Sequence, residues 1–366
     1  MTLRKILLGT TAVLGAGLMT AAVPSVAGAA EVKPGGYPDL TLTGFARFRM
    51  HGGQLDDARL NNAFSRDLDF SNDTEVHVVA RAKDERTGLE YGGTVEFEAD
   101  TNRADNTDES WIFVRGGFGE VRLGDEDGAS DTSAVGAQTI AAGTGGIDGS
   151  VIDTFAGGAT FKLDNTNDAT KIRYYTPSFG GFQIGVSYTP QQAALSSGAG
   201  NGDSLAGKAV TAQNFVEAAA LYKGSLGGVG VLASITGAVC DWKAAGDDDC
   251  SGIYGGANVD LFGFKLGGGY GTEKFGALEK SFYNIGIGAA LGPTNVSINY
   301  GKVVDSDNLT FNGVAVDKPS NLVFSADIAL MPGLVLAGDV GFFDNDVEGG
   351  AERSGWQAVG RLGLAF

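Results

Sequence analysis

The sequence predicts an all-β fold, in which sixteen antiparallel strands close into a transmembrane β-barrel. Along most of the chain, apolar and polar residues alternate with a period of two, which is typical of strands with one apolar and one wet face. Short turns alternate with longer polar connections, as they do in barrels that cross a membrane. Beyond the N-terminal region, no segment approaches the about 20 apolar residues that a membrane-spanning helix needs.

The N-terminal segment has the organisation of a secretory signal peptide. Arg4 and Lys5 precede a long uncharged stretch, and Ala-Gly-Ala at 27–29 fits a small-x-small cleavage site. An uncleaved membrane anchor is the alternative, but the Gly, Ala and Thr content and the processing pattern favour cleavage. We therefore assign residues 1–29 to a cleaved signal peptide and residues 30–366 to one barrel domain.

The strands follow from the alternation itself. In the first of them, Leu42, Phe48 and Met50 lie on one face, and Arg47 and Arg49 lie on the other. Most of the strands have about ten residues, which is enough to cross an apolar band when tilted. The predicted strands span 40–50, 73–83, 88–99, 109–116, 119–124, 170–177, 181–190, 213–224, 228–239, 252–261, 263–272, 281–291, 294–303, 320–330, 334–343 and 355–366.

The connections distinguish a barrel from a soluble sandwich, which also alternates. Short and long connections alternate strictly, and a meander of this kind places all short turns at one end. The short turns lie at 116–119, 178–181, 226–228, 261–263, 291–293 and 331–333. The longer polar stretches lie at 191–212, 240–252, 273–280, 304–319 and 344–354, and the longest connector of all spans 125–169.

Composition excludes several classes of function. The formal net charge of −18 argues against nucleic acid, which needs a basic face, and indicates that cations are attracted. The chain has two histidines, His51 and His77, and neither occurs in a metal-binding spacing such as H-E-x-x-H. No paired nucleophile and base stands out. The sequence therefore predicts a protein that is not an enzyme and has no cofactor.

Two cysteines flank an acidic segment. An even number of cysteines in an exported chain indicates a disulfide, so we expect Cys240 and Cys250 to form one within a loop. Closing so short a loop contributes about 2–3 kcal/mol at most to the stability of the fold. The acids at 247–249 could supply carboxylate ligands to calcium. Three consecutive acids do not converge by themselves, so a solvated loop tip is the favoured interpretation.

Several short motifs together resemble the general porins of Gram-negative bacteria, especially the alphaproteobacterial type. They are Gly-Leu-Glu-Tyr-Gly-Gly at 88–93, Gly-Phe-Gly-Glu-Val-Arg-Leu-Gly at 117–124, Ile-Arg-Tyr-Tyr-Thr-Pro at 172–177 and the terminal Phe366. The resemblance covers nearly the whole predicted mature chain. It implies a homotrimeric barrel whose third outer loop, here 125–169, folds inward and narrows the pore. It also implies that Phe366 is part of the barrel assembly signal.

In such porins, acids on the inward loop face basic residues on the wall. Opposed charges across a narrow, water-filled gap produce a transverse field that orients dipolar solutes and filters ions. The acidic candidates are Asp125, Glu126, Asp127, Asp131, Asp148 and Asp153. The basic candidates on the polar strand faces are Arg47, Arg49, Arg81, Lys83, Lys171, Arg173 and Arg361.

The resemblance implies a passive outer-membrane channel for small hydrophilic solutes and ions. The chain would reach the outer membrane by export through the periplasm. The acidic balance predicts a weak preference for cations. Outer-membrane lipid and lipopolysaccharide would surround such a barrel. Two alternatives stay open: a substrate-selective channel, and a structural or adhesive barrel without an open pore.

Overall fold

The computed structural model describes most of the chain after the N-terminal region. The predicted signal peptide lies outside the described residues, and so do parts of the outer connections. The described residues are 38–55, 68–100, 107–153, 160–192, 212–242, 248–311, 314–347 and 351–366.

Sixteen long antiparallel strands of the described residues form one closed sheet, which confirms the predicted fold. Each strand pairs with its neighbour in the chain, and the last pairs with the first, for example at Arg49 and Arg361. A two-residue strand, Thr310–Phe311, folds back on the fourteenth strand. The long strands are β1 (Asp39–Leu55), β2 (Leu68–Asp84), β3 (Leu89–Glu98), β4 (Ser110–Gly116), β5 (Gly119–Asp125), β6 (Thr170–Tyr175), β7 (Phe182–Gln192), β8 (Ala212–Leu226), β9 (Val229–Trp242), β10 (Asp248–Leu261), β11 (Phe264–Gly276), β12 (Leu278–Leu291), β13 (Thr294–Asp307), β14 (Val314–Met331), β15 (Leu334–Val347) and β16 (Ala351–Ala365).

Several strands extend farther at the long-loop end than the sequence predicts. The polar stretch 273–280, predicted as a long connection, is strand on both sides of a tight turn at Gly276. The φ angle of Gly276 is +60°, a left-handed conformation that glycine adopts without a steric penalty. Strand residues beyond the apolar band do not have to alternate, so their polar character hides them from a periodicity argument.

The two faces of the barrel differ in polarity. Phe48, Phe70 and Ile112 point outward and are 51%, 55% and 60% exposed. Asn284 and Asn299 point inward and are fully buried. An apolar exterior around a polar interior is the reverse of a soluble protein, and it is the arrangement of a transmembrane barrel.

The last residue takes part in closing the barrel. The backbone N–H of Phe366 donates to the carbonyl of Gly44 at 3.0 Å, and the N–H of Gly44 donates to the Phe366 carbonyl at 2.9 Å. A Cβ at Gly44 would lie 3.1 Å from the Phe366 ring, so the small residue leaves room for the terminal aromatic side chain. The role of Phe366 in assembly stays a prediction.

Cys240 and Cys250 form the predicted disulfide. They lie opposite each other on β9 and β10, so the bond joins strand ends rather than a free loop. The pair is buried beside Phe215 and Phe275. The backbone N–H of Trp242 donates to the carboxylate of Asp249 at 3.1 Å. Asp247 and the side chain of Asp248 lie outside the described residues, so calcium binding at this tip stays a hypothesis.

Candidate functional site in the barrel lumen

The connection between β5 and β6 folds into the lumen. Its outgoing limb, residues 126–144, follows the inner wall from β7 to β15, and its returning limb, residues 160–169, runs back to β6. None of the short helices described in this loop is long or apolar enough to cross a membrane. Successive backbone amides of the outgoing limb donate to wall side chains: Ala129 to Ser187 Oγ at 3.0 Å, Val135 to Ser234 Oγ at 3.1 Å, Ala137 to Asn284 Oδ1 at 2.8 Å, Ala142 to Ser297 Oγ at 2.8 Å and Gly143 to Asp327 Oδ2 at 3.0 Å.

Apolar packing explains why the loop lies inside the barrel. Ile147, Val151, Phe161 and Leu163 of the loop are almost fully buried. Burial of each such side chain stabilises the inward position of the loop by about 1.5–3 kcal/mol. A loop outside the barrel would expose these side chains to water and would not gain this stabilisation. Their partners in the same cluster lie mostly on the wall and include Tyr254, Phe282, Val303, Val323 and Val359.

Glycines on the wall allow the loop to approach closely. A Cβ at Gly256 would lie 1.8 Å from the carbonyl oxygen of Val135, and a Cβ at Gly301 would lie 2.3 Å from the Phe161 ring. Any larger residue at either position would push the loop toward the centre of the pore. The absence of a side chain at these two positions therefore lets the loop lie flat against the wall.

A buried ion-pair network holds the base of the loop. Arg173 on β6 lies 2.6 Å from the carboxylate of Glu126, and it donates to the carbonyl of Asp127 at 2.8 Å. Arg122 on β5 contacts the same carboxylate at 3.2 Å. The Glu126 carboxylate is therefore shared by two guanidinium groups, a charge-assisted arrangement that fixes where the loop leaves the wall.

Two predicted constriction residues, Lys171 and Arg173, lie beneath the loop and not at the pore surface. Each is only 2% exposed. Lys171 donates to the carbonyls of Glu126 and Asn167, one on each limb. The alternation assigns both residues to the inward face, but the loop covers this part of the wall. They attach the loop instead of facing the solute, and Glu126 belongs to the same attachment.

One carboxylate joins both limbs to the wall. Glu217 on β8 is fully buried and accepts hydrogen bonds from Ser130 at 2.5 Å on the outgoing limb and from Thr166 at 2.8 Å on the returning limb. Ser187 of the wall donates to it at 3.0 Å. Glu217 is therefore a single point at which both halves of the loop are held.

A second anchor holds the returning limb. The backbone N–H of Asp164 donates to Glu273 at 2.8 Å, and Lys280 contacts Glu273 at 2.8 Å and Asp164 at 3.5 Å. All three groups are largely buried, and their opposite charges compensate one another.

A group of arginines lines the wall that β1 and β16 form. Arg47 contacts Asp73 at 3.1 Å, and Arg49 forms an ion pair with the same carboxylate. Arg361 lies opposite Arg49 on the strand that closes the barrel, and it donates to the carbonyl of Gly143 in the loop at 3.1 Å. The structure thus brings together three of the predicted basic residues where the loop meets this wall.

Two of the predicted loop acids form ion pairs within the loop. Asp131 and Asp148 contact Lys162 at 2.9 Å and 3.2 Å, and the three side chains are partly exposed. Burial lowers the pKa of Lys162, but Asp131 and Asp148 outweigh that effect and raise the pKa well above its usual range. The loop surface therefore carries a permanent cation between two acids.

The other predicted site residues lie apart from these groups. Arg81 and Lys83 are exposed near the short-turn end of β2, where Lys83 lies 4.0 Å from Glu90. Asp125 accepts a hydrogen bond from Thr170 at the point where the loop starts. The backbone of Asp153 ends a short helix, and its side chain lies outside the described residues.

Asp127, one of the predicted loop acids, meets two further acids at the base of the loop. Carboxylate oxygens of Glu109, Asp127 and Asp168 lie within 4.8 Å of one another. Burial raises the pKa of Asp168 to about 7, and the neighbouring Asp108 and Glu109 contribute to that shift. Burial, together with the charge of Asp131, also raises the pKa of Asp127. The loop base is therefore crowded with negative charge when all its acids are ionised.

This crowding predicts a stability that depends on pH. Because the pKa of Asp168 is raised in the folded protein, its stabilising contribution is present at low pH and is lost as pH rises through about 7. We expect the denaturation temperature of the barrel to fall between about pH 4, the ordinary pKa of an aspartate, and about pH 7. Asp168→Asn is expected to flatten that profile, with Asp260→Asn as an exposed control. Profiles of equal slope for Asp168→Asn and wild type would contradict the assignment.

A family model described as Gram-negative porin matches residues 11–348. Two uncharacterised proteins of Rickettsia conorii and Rickettsia felis are 33% and 32% identical to this chain over alignments of 111 and 107 positions, and the matches cover 24% and 23% of this chain. The chain spans about a quarter of the length of these curated relatives.

Among solved structures, an anion-selective porin from Comamonas acidovorans has a TM-score of 0.61 at 20% identity, over 89% of this chain and 99% of that chain. A loop-deletion mutant of OmpT from Vibrio cholerae has a TM-score of 0.61 at 13% identity, with the same coverage. A variant of the Rh. blastica porin has a TM-score of 0.59 at 15% identity, over 89% of this chain and 100% of that chain. At these identities the similarity shows the fold.

Proposed function

The chain belongs to the family of Gram-negative porins, and on that premise we propose that it forms an outer-membrane diffusion channel for small hydrophilic solutes and ions, with a weak preference for cations. The observation that carries the proposal is the loop, which hydrogen-bonds inside the lumen to the wall from β7 to β16, whereas none of its hydrogen bonds in the described residues reaches β1, β2 or β3. Water in such a lumen lowers the barrier for polar solutes, and the loop sets the size limit.

The charges around the loop support a field across the pore. Arg47 and Arg49 lie on β1 and Arg361 lies beside them on β16, whereas Asp131 and Asp148 lie on the loop. Asp73 compensates part of the arginine charge, and Lys162 compensates part of the loop charge. Since the chain carries a formal net charge of −18, the balance favours cations weakly.

The proposal includes a homotrimer in a bilayer that contains lipopolysaccharide, after export and removal of residues 1–29. Glycine and alanine on the outward barrel face would permit close subunit packing. The mass of the purified chain tests the removal of residues 1–29. The migration of unheated protein in detergent gels tests the homotrimer.

Single-channel recording in a planar bilayer tests the channel itself. We expect conductance steps in groups of three, and a reversal potential in a salt gradient that shows mild cation preference. A clear anion preference would reject the charge argument while leaving the channel intact. A folded barrel without any conductance would reject the open channel.

Neutralising the arginine wall is expected to increase cation preference. A unit charge about 10 Å from a permeating ion contributes about 0.4 kcal/mol in water, or about twofold in relative permeability, before salt screening. We therefore expect Arg47→Gln, Arg49→Gln and Arg361→Gln together to shift the reversal potential toward the cation limit by several-fold in permeability ratio. Arg81→Gln, near the short-turn end, is the matched control. An equal shift of the reversal potential in the control would show that these three arginines do not determine ion selectivity.

A further inference from the structure

We propose that Glu75, His77 and Glu96 form a binding site for one divalent transition-metal ion, with Zn²⁺ as its representative, on the pore wall. Ligand atoms of the three side chains lie within 4.8 Å of one another. The binding site goes beyond diffusion of solutes, and binding itself does not depend on the channel being open. Only its effect on ion flow rests on the proposed function.

The barrel wall itself fixes the three side chains. Glu75 and His77 are two residues apart on β2, so both point inward on the same face. Glu96 on β3 is the direct register partner of His77. All three ligands therefore lie on paired strands and not on loops, which keeps their mutual positions rigid.

The spacing suits a small metal ion. The Nε2 atom of His77 lies 2.9 Å from a carboxylate oxygen of Glu75 and 3.5 Å from one of Glu96. Zinc binds nitrogen and oxygen ligands at about 2.0–2.2 Å with tetrahedral angles, which places neighbouring ligand atoms about 3.3 Å apart. The two observed distances bracket that value, so small side-chain rotations would suffice to coordinate an ion.

The donor set selects the class of metal. One imidazole and two carboxylates suit zinc and its neighbours, whereas calcium takes six to eight oxygen ligands. The ring of Phe45 meets the His77 ring edge to face at 6.0 Å and restricts its orientation. The carboxylate of Glu98 clusters with Glu75 and adds negative potential that favours a cation, whereas Asp73 in the same cluster is paired with Arg47 and Arg49.

The site is reachable from the lumen. The side chains of His77, Glu75 and Glu96 are 13%, 11% and 19% exposed, so each is partly covered by its neighbours. Three protein ligands leave a fourth tetrahedral position for water or a solute group. A bound dication would neutralise the negative charges of the two carboxylates, and cation flow past this wall would decrease.

Zinc titration of the purified, untagged full-length barrel tests the site. After removal of metal with a chelator, equilibrium dialysis against Zn²⁺ should give one ion per chain. His77→Ala and Glu96→Gln are each expected to weaken binding by at least about tenfold. His51→Ala is the matched control, because the chain has two histidines, and it should bind like wild type. Glu96→Gln keeps the shape of the side chain and covers the case in which His77→Ala fails to fold.

The outcomes separate the site from the channel. Wild-type affinity in both His77→Ala and Glu96→Gln, or less than one ion per wild-type chain, would overturn the site. Zinc binding without any conductance would leave the site standing and count against the channel. If both proposals hold, zinc should lower the conductance of wild type and of His51→Ala. It should leave the conductance of His77→Ala unchanged.

Discussion

Glu217→Ala is expected to release the inward loop from the wall and to enlarge the pore. The carboxylate accepts hydrogen bonds from Ser130, Thr166 and Ser187, so its loss removes one anchor from both limbs at once. Hydrogen bonds to a charged group contribute about 1.5–3 kcal/mol each, and three buried hydroxyls would lose their acceptor. No other single side chain described in the wall accepts hydrogen bonds from both limbs in this way.

Two measurements check this expectation. Single-channel recording should show larger and noisier conductance, and liposome swelling should admit larger sugars than wild type does. Glu217→Gln keeps an acceptor oxygen and should give an intermediate result. Glu90→Ala, an exposed acid near a short turn, is the matched control. Unchanged sieving in Glu217→Ala would show that apolar packing alone holds the loop.

The strands and their faces could be predicted because alternation is a local property. Phe48 and Met50 are exposed on the outside, and Arg47 and Arg49 face the lumen, as the period-two pattern requires. The extended strand ends around Gly276 escaped prediction because residues outside the apolar band have no such pattern to follow. Local periodicity therefore predicts the barrel well but not its height at the long-loop end.

The course of the loop could not be predicted, because it depends on contacts between distant residues. Ala142 donates to Ser297, 155 positions away, and no local pattern encodes that contact. For the same reason Lys171 and Arg173 were assigned to the correct face but not to their place beneath the loop.

Other functional residues left weaker signals. Glu217 is an isolated charge between small and apolar residues on the inward face of β8, and that contrast could have identified it. Lys162 lies on the returning limb and not on a strand, so the alternation of strand residues carries no signal for it. His77 and Glu96 are far apart in the chain and meet only through the pairing of β2 with β3.

Arg173→Ala is expected to destabilise the base of the loop more than any exposed substitution. Its guanidinium is almost fully buried against Glu126 and also holds the Asp127 carbonyl. Removal of one partner of a buried ion pair typically costs about 3–5 kcal/mol, because the remaining charge stays in a poorly solvated site. Arg122 still contacts Glu126, so we expect the lower part of that range.

The denaturation temperature of the folded barrel, read from its shifted migration in detergent gels, measures this loss. Arg173→Lys keeps the charge but cannot reproduce the planar fork that reaches Glu126 and Asp127 together, so it should be intermediate. Arg86→Ala removes an exposed turn arginine and is the matched control. If Glu126→Ala added to Arg173→Ala restores part of the stability, the uncompensated charge of Glu126 is the cause. A double variant less stable than Arg173→Ala would instead assign the loss to packing, because removing the charge would then bring no relief.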